Sequence, residues 1–229
     1  MKLYKIRGGS EESLFKKEYN IGVGISLGNK WFSAENIMGL VEWSLEYTKE
    51  FVVVYVADSI HAVNVEVRKR RSPEKSKEIA LQLGDEILEK VKVLASSKLT
   101  PDQFSKLHFA KWDELLTPAF QEKLDFLNKK YSTDSEFKRT IVELVDSFTS
   151  NEKRLFSDDD KVKLGSYVVA EFPEIIGRTP INGLIFDAYA YPYDGKLAEL
   201  VENIQKGDLF PDVRDKVMDT EPKVLLVVR

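Results

Sequence analysis

Tyr19-Asn20-Ile21-Gly22-Val23-Gly24-Ile25-Ser26-Leu27-Gly28-Asn29-Lys30-Trp31-Phe32-Ser33 is the segment on which the fold turns. From Tyr19 to Ser26 it mixes Ile, Val and Gly, as a buried strand does, and it breaks at Leu27-Gly28-Asn29, residues suited to a tight loop. Ser33 reads as a helix N-cap, and Ile37, Leu40, Val41 and Leu45 recur at helical spacing to about Thr48. Phe51-Val52-Val53-Val54-Tyr55-Val56 then runs without polar alternation, the pattern of a strand covered on both faces. Strand, helix and strand in that order predict a parallel unit.

Further along, Ser72-Pro73 opens a long helix with proline at its first position, and Ile79, Leu83, Ile87, Val91 and Leu94 supply an inner stripe. A short strand is expected over Leu107 to Trp112. Residues 113–149 carry two helical patterns joined near Ser132-Thr133, and residues 158–172 carry another. Gly183 to Tyr189 and Lys223 to Val228 read as further strands, separated by a helix from about Gly195 to Gln205. The sum predicts an α/β fold: a Rossmann-like, doubly wound, mostly parallel sheet flanked by helices. The 229 residues contain no repeat or low-complexity tract, and the break near Asn151-Glu152-Lys153 is weak, so a single domain over residues 1–229 is expected.

Composition narrows the chemistry. Apolar residues make up 43% and charged residues 31%, which excludes collagen-like, mucin-like and disordered chains. With no cysteine, disulfides, thiol catalysis and cysteine-ligated zinc are excluded, and His61 and His108 are the only histidines. No metal or cofactor is expected. The net charge of −4 rules out a molecule that coats nucleic acid with its whole surface. Positive charge is nevertheless concentrated: Arg68, Lys69, Arg70, Arg71, Lys75 and Lys77 share one short stretch with a single acid, Glu74, so +5 sits there and −9 on the rest. Read as the N-terminus of a helix, that charge opposes the helix dipole, which leaves phosphate binding as the better explanation. Lys90, Lys92 and Lys98 extend the stripe. Charge interrupts every apolar group near Met1, and the longest apolar run, Phe51 to Ala57, is far shorter than the ~20 residues of a membrane-spanning helix. An intracellular, cytoplasmic protein without a membrane span is expected.

Gly24-Ile25-Ser26-Leu27-Gly28 satisfies G-x-S-x-G, in which small flanking residues let a sharp turn present a serine hydroxyl. The same residues also suit a serine that merely makes a turn. A Ser-His-Asp triad with Asp58 and His108 fits poorly, because His108 lies in the alternating strand pattern Leu107-His108-Phe109-Ala110-Lys111-Trp112. A serine without histidine can still attack a carbonyl when the ester is already activated. Aminoacyl esters of tRNA are such substrates.

The segment from Gly24 to Ser33 resembles the serine loop of the cyclodipeptide synthases. Trp43 in the following helix and Val53-Val54-Tyr55-Val56 are also similar to that family, and Tyr167-Val168-Val169-Ala170-Glu171 matches its Tyr-x-x-x-Glu helix. Tyr191 lies twenty positions after Glu171, where the family keeps its third catalytic residue. On a helix, Tyr167 and Glu171 project from one face, so both can grip one ligand; without the other motifs, that spacing is better read as an exposed Glu beside a half-buried Tyr.

The resemblance implies that Ser26 is acylated by a first aminoacyl-tRNA, that Tyr167 and Glu171 hold the amino group, and that a second aminoacyl-tRNA gives a dipeptidyl-enzyme. Tyr191 assists closure to a diketopiperazine. It also implies two aminoacyl-tRNAs as partners and a monomer, with no ATP, since the esters arrive activated. The family is similar to the catalytic domain of class I tyrosyl- and tryptophanyl-tRNA synthetases, but this chain has no HIGH motif, and Glu74-Lys75-Ser76-Lys77-Glu78 is a poor echo of KMSKS. Family pockets project onto Gly22, Gly24, Val54, Glu174 and Tyr189, with Asn29 in the serine loop. Glu174 is the odd member, because a carboxylate facing an apolar pocket needs a partner. A cationic or histidyl first substrate would supply one; Glu174 turned to water at the helix end fits as well. The family's subgroups pair Asn at the loop with Tyr-His at closure, or carry Tyr-Pro there; this chain joins Asn29 to Tyr191-Pro192, so neither subgroup's specificity rules transfer. The competing functions are a serine esterase using Ser26 with His108 or His61, and a non-catalytic tRNA-binding module.

Overall fold

The computed structural model describes residues 1–150, 152–218 and 221–229, so Asn151 of the expected weak break lies outside the described residues. Its strands are β1 (Leu3–Arg7), β2 (Ile21–Ile25), β3 (Val52–Val56), β4 (Leu107–Lys111), β5 (Pro180–Ile181), β6 (Leu184–Ile185), β7 (Ala188–Tyr191) and β8 (Val224–Val228). The helices are α1 (Glu11–Phe15), α2 (Ala34–Tyr47), α3 (Asp58–Lys69), α4 (Pro73–Lys98), α5 (Pro101–Ser105), α6 (Pro118–Thr133), α7 (Ser135–Thr149), α8 (Asp158–Ile176), α9 (Lys196–Lys206) and α10 (Pro211–Val217).

Six strands form one sheet in the order β1-β8-β7-β2-β3-β4, parallel throughout except for β1 against β8. The chain travels outward from β2 through β3 to β4, then returns to build β7 and β8 on the other side of β2. Strand order therefore reverses between β2 and β7, and in open α/β sheets the crevice beyond the carboxyl ends at such a point is where ligands bind.

Side-chain alternation sorts the two faces. Ile21, Val23, Ile25, Val52, Val54, Val56, Ala188 and Ala190 lie in a core with α2 and α4. Val53, Tyr55, Tyr189, Leu225 and Val227 lie in the core of the opposite face, with Trp112, Phe120 and Phe186. A helical core of α6, α7, α8, α9 and α10 adjoins that second face. Among the described residues no helix is long and apolar enough to cross a membrane.

The central strand-helix-strand unit forms as expected: the Ser33 hydroxyl caps α2 by accepting from the Asn36 amide, and β2 pairs with β3 in parallel. Four expectations change. The buried line of α4 is Ser76, Ala80, Gly84, Leu88, Val91 and Ala95, while Ile79, Leu83, Ile87 and Leu94 are only half-buried. Close packing on α3 selects small residues there; a Cβ at Gly84 would stand 2.6 Å from the Asp58 Cβ. The strand expected over Gly183 to Tyr189 is instead β6 and β7, and so Tyr191 ends a strand of the main sheet. Helix α8 continues past Pro173 to Ile176, carrying Glu174 with it. Finally, α3 occupies Asp58–Lys69, so Arg68 and Lys69 lie in the last turn of a helix, where positive charge is favoured by the dipole rather than opposed.

Candidate active site

Ser26 follows directly on β2 at the reversal of strand order. Its loop is held locally: the Asn29 Oδ1 accepts from the Trp31 amide at 3.0 Å, the Asn36 side chain donates to the Trp31 carbonyl at 2.7 Å, and Gly28 takes a left-handed φ of 80°. Asn29 thus does bond within the serine loop, and Gly28 takes the left-handed conformation. His61 packs under Gly28, where a Cβ would lie 3.2 Å from its ring.

Helix α8 brings Tyr167 and Glu171 to the same place. The Tyr167 hydroxyl donates to the Glu171 Oε1 at 2.7 Å, one turn along the helix. Burial lifts the Glu171 carboxyl to about 7, the hydrogen bond from Tyr167 opposing that rise and the nearby Glu174 adding to it. Burial likewise raises the phenols of Tyr167 and Tyr191, and the neighbouring Ser26 hydroxyl tempers both shifts. Four residues from three separate segments therefore share one small volume: a serine hydroxyl, two phenols that stay protonated, and a carboxyl that changes charge near neutral pH.

Of the residues expected to line the substrate pocket, Gly22, Gly24 and Tyr189 share the sheet face that carries Tyr55 and Phe186. A Cβ at Gly22 would meet the Phe186 ring at 2.5 Å, and one at Gly24 would meet the Tyr55 hydroxyl at 3.0 Å. Val54 points the other way, into the core with α2, because successive strand residues alternate; Tyr55, in register with Gly24, takes the place expected for Val54. Glu174 does not turn to water. It is 1% exposed and bonded at 2.7 Å to the Nζ of Lys223, which itself lies 3.9 Å from the centre of the Phe186 ring. Burial raises the Tyr55 phenol, with Glu174 the next cause. The argument that Glu174 needs a cationic substrate therefore fails: the protein supplies the cation. Phe186, Tyr55 and Lys223 are the residues that sequence reasoning missed. The signal for Tyr55 was an aromatic side chain in register with a glycine, and for Lys223 a lone charge at the mouth of an apolar strand.

Neither histidine suits an esterase. His108 is exposed near the amino end of β4, paired with Val53 and stacked on Phe51, whereas Ser26 lies past the carboxyl end of β2. His61 is buried beneath Gly28 and among the described residues makes no hydrogen bond to Ser26, and burial lowers its pKa to about 4. The basic stretch is partly engaged. Arg68 pairs with Glu152 at 2.7 Å, Arg70 grips Asp160 through two bonds of 2.7 Å, Lys75 pairs with Glu78 and Lys92 with Glu89. Arg70 holds the Asp160 carboxyl down at about 2. Among the described residues, Lys69, Arg71, Lys77 and Lys90 make no ion pair, and all four are exposed.

Solved structures share this fold at low identity. A Mycobacterium tuberculosis protein, described as showing that cyclodipeptide synthetases are related to type I tRNA synthetases, aligns at TM-score 0.66 and 18% identity over 96% of this chain and 92% of its own. A cyclodipeptide synthase from Staphylococcus haemolyticus aligns at 0.70 and 15%, over 98% and 99%. One from Candidatus Glomeribacter gigasporarum, bound to Phe-tRNAPhe, aligns at 0.54 and 17%, over 92% and 88%. No sequence among the curated proteins matches the chain. The six-stranded sheet, with its strand order reversing between β2 and β7, defines a Rossmann-like scaffold. The cyclodipeptide synthase family model matches residues 8–209, and the chain belongs to that family of tRNA-dependent aminoacyltransferases.

Proposed function

We propose that the protein joins two aminoacyl groups, each delivered as an ester of tRNA, into a diketopiperazine by ping-pong catalysis on Ser26. The observation that carries this reading is the convergence of Tyr167, Glu171 and Tyr191 on the Ser26 hydroxyl. The Ser26 oxygen attacks the first ester, the bond to the ribose oxygen breaks, and the serine proton leaves with the tRNA. Tyr167 and Glu171 hold the amino group of the new acyl-enzyme. For the dipeptide to remain on Ser26, that amine must attack the second ester; attack in the opposite sense would free Ser26 and leave a dipeptidyl-tRNA. Glu171 accepts the proton that the amine loses. The remaining free amine then attacks the Ser26 ester with Tyr191 beside it, closing the ring and releasing the serine. Two esters are consumed and two tRNAs released, with no need of ATP.

On the same reading the whole chain is one catalytic domain, a monomer in the cytoplasm where charged tRNA resides. Among the described residues of the basic stripe, Lys69, Arg71, Lys77, Lys90 and Lys98 make no ion pair and can meet phosphate. Arg68, Arg70, Lys75 and Lys92 would have to exchange an internal carboxylate for RNA. Gly24, Tyr189 and the Tyr55 hydroxyl border the first amino acid, the Phe186 ring covering Gly22, and with Glu174 neutralised by Lys223 a polar, uncharged side chain suits them, neutral histidine included.

Incubation with each radiolabelled aminoacyl-tRNA, followed by acid precipitation and mass spectrometry of the supernatant, tests the reading. One donor should leave base-labile label on the chain, and a pair should yield a diketopiperazine; no label and no product with any donor overturns it. The pH profile tests Glu171. Its carboxylate is the active form of a base, so the rate of peptide-bond formation should fall about tenfold per pH unit below about 7 and level off above. Glu171→Gln should remove that dependence along with most of the activity.

A further inference from the structure

Four aromatic rings surround the mouth of the serine loop. Trp31 and Phe32 meet edge to face at 5.1 Å between centroids, Phe32 and Tyr191 at 5.5 Å, Tyr191 and Tyr193 at 5.8 Å, and Tyr193 closes the circuit on Trp31 at 6.4 Å. Phe32 is buried and Tyr191 faces Ser26, but Tyr193 is 41% exposed. Its hydroxyl donates to the Asn29 Oδ1 at 3.3 Å, which fixes the ring at the rim, three residues from the serine. Nothing in the acyl-transfer scheme uses Tyr193 or Trp31, and no core packing accounts for a large ring left open to solvent there.

The chemistry of the ester says what must come to that rim. The oxygen displaced from the first substrate belongs to the ribose of its terminal nucleotide. When the Ser26 oxygen is in position to attack, that ribose lies within a few ångströms of the reacting carbon, and its base has to rest on whatever borders the loop. The terminal nucleotides of tRNA are unpaired, and unpaired bases are held by aromatic faces.

We infer that Tyr193, braced by Trp31 and Tyr191, is the stacking platform for the unpaired 3′-terminal base of the aminoacyl-tRNA. The inference rests on the proposed use of tRNA esters, but it concerns binding of the nucleotide and not the acyl chemistry. Because every base has a π-face, stacking holds the terminus without reading its sequence, which suits two donors that differ in the rest of their tRNA.

Tyr193→Phe and Tyr193→Ala separate the ring from the hydroxyl. Stacking predicts that Tyr193→Phe, which loses the bond to Asn29 but keeps the ring, retains the wild-type KM. Tyr193→Ala should raise KM for aminoacyl-tRNA roughly 5- to 150-fold, the range expected for one stacked base, while still acquiring acyl label at saturating donor. A tRNA carrying 2-aminopurine as its last base supplies a direct readout. Its fluorescence should be quenched on binding to wild type and Tyr193→Phe and restored with Tyr193→Ala. Equal KM effects from both variants would assign Tyr193 the role of bracing Asn29. Quenching that survives Tyr193→Ala would place the base elsewhere. Either result overturns the inference. Failure of wild type to take any acyl label, with quenching intact, would instead remove the proposed chemistry and leave the platform standing.

Discussion

Ser26→Ala should take up no acyl label from any aminoacyl-tRNA, and diketopiperazine should fall below detection in a mass-spectrometric assay that registers the wild-type product. The expectation follows from the chemistry of the crevice. Attack by either phenol beside Ser26 would give an activated aryl ester, and attack by Glu171 an anhydride, in place of a stable alkyl ester. The serine hydroxyl is the one group there that can form a stable alkyl ester and later be released from it. The substitution is small. Ser26 is half-buried in a loop whose hydrogen bonds run through Asn29 and Asn36, not through the serine, so stability should change by no more than about 0.5 kcal/mol. Unchanged thermal unfolding together with lost labelling would assign the defect to chemistry. Label persisting on Ser26→Ala would move the nucleophile to another residue.

Replacing Lys223 should damage the fold as severely as Ser26→Ala damages catalysis. Its ammonium is wholly buried, 2.7 Å from Glu174 and over the Phe186 ring. Lys223→Met fills similar volume but leaves the Glu174 carboxylate without its counter-charge beneath a sheet. Removing one partner of a buried pair typically costs about 3 to 5 kcal/mol, which in a protein of this size lowers the melting temperature by roughly 6 to 20 °C. Lys223→Met combined with Glu174→Gln should recover a large part of the loss, because no charge is then left unpaired. Urea unfolding of both variants measures the difference. If the single variant loses less than about 1 kcal/mol, Glu174 is not held as a buried anion.

The sequence made some elements plain and hid others for identifiable reasons. β2, α2 and β3 were legible because glycine, a capping serine and an unbroken run of branched residues each act locally. β1 was not, since Leu3-Tyr4-Lys5-Ile6-Arg7 is an edge strand that mixes charged with apolar residues and pairs only with the far end of the chain. The packing face of α4 was misread because hydrophobicity points to Ile and Leu, whereas close contact with α3 demands Ser76, Ala80 and Gly84. In the site, the serine loop and the Tyr167/Glu171 pair are legible through the resemblance to the cyclodipeptide synthases, because the four-residue spacing alone suits an exposed Glu beside a half-buried Tyr. The exchange of Val54 for Tyr55 required knowing which strand face looks toward Gly24, and the Glu174 to Lys223 bond joins residues 49 positions apart, beyond any local pattern.

The two walls of the crevice are built differently, and this bears on how it can make room. Ser26 and Tyr191 hang from β2 and β7, neighbours joined by ladder hydrogen bonds at a spacing of roughly 4.8 Å. They cannot separate without tearing the sheet at its centre. Tyr167 and Glu171 stand on α8, which no ladder of backbone bonds joins to the sheet: it packs against α3, α6, α7 and α9, is tied by side-chain bonds such as Lys163 to Glu66, Lys161 to Asp146 and Lys223 to Glu174, and its last turn lacks the backbone donor that Pro173 cannot provide. On the proposed scheme, room for the second aminoacyl group on Ser26 therefore has to come from the α8 side, and the bulk of the two side chains that can be accommodated is limited by how far the helical core behind α8 lets it shift.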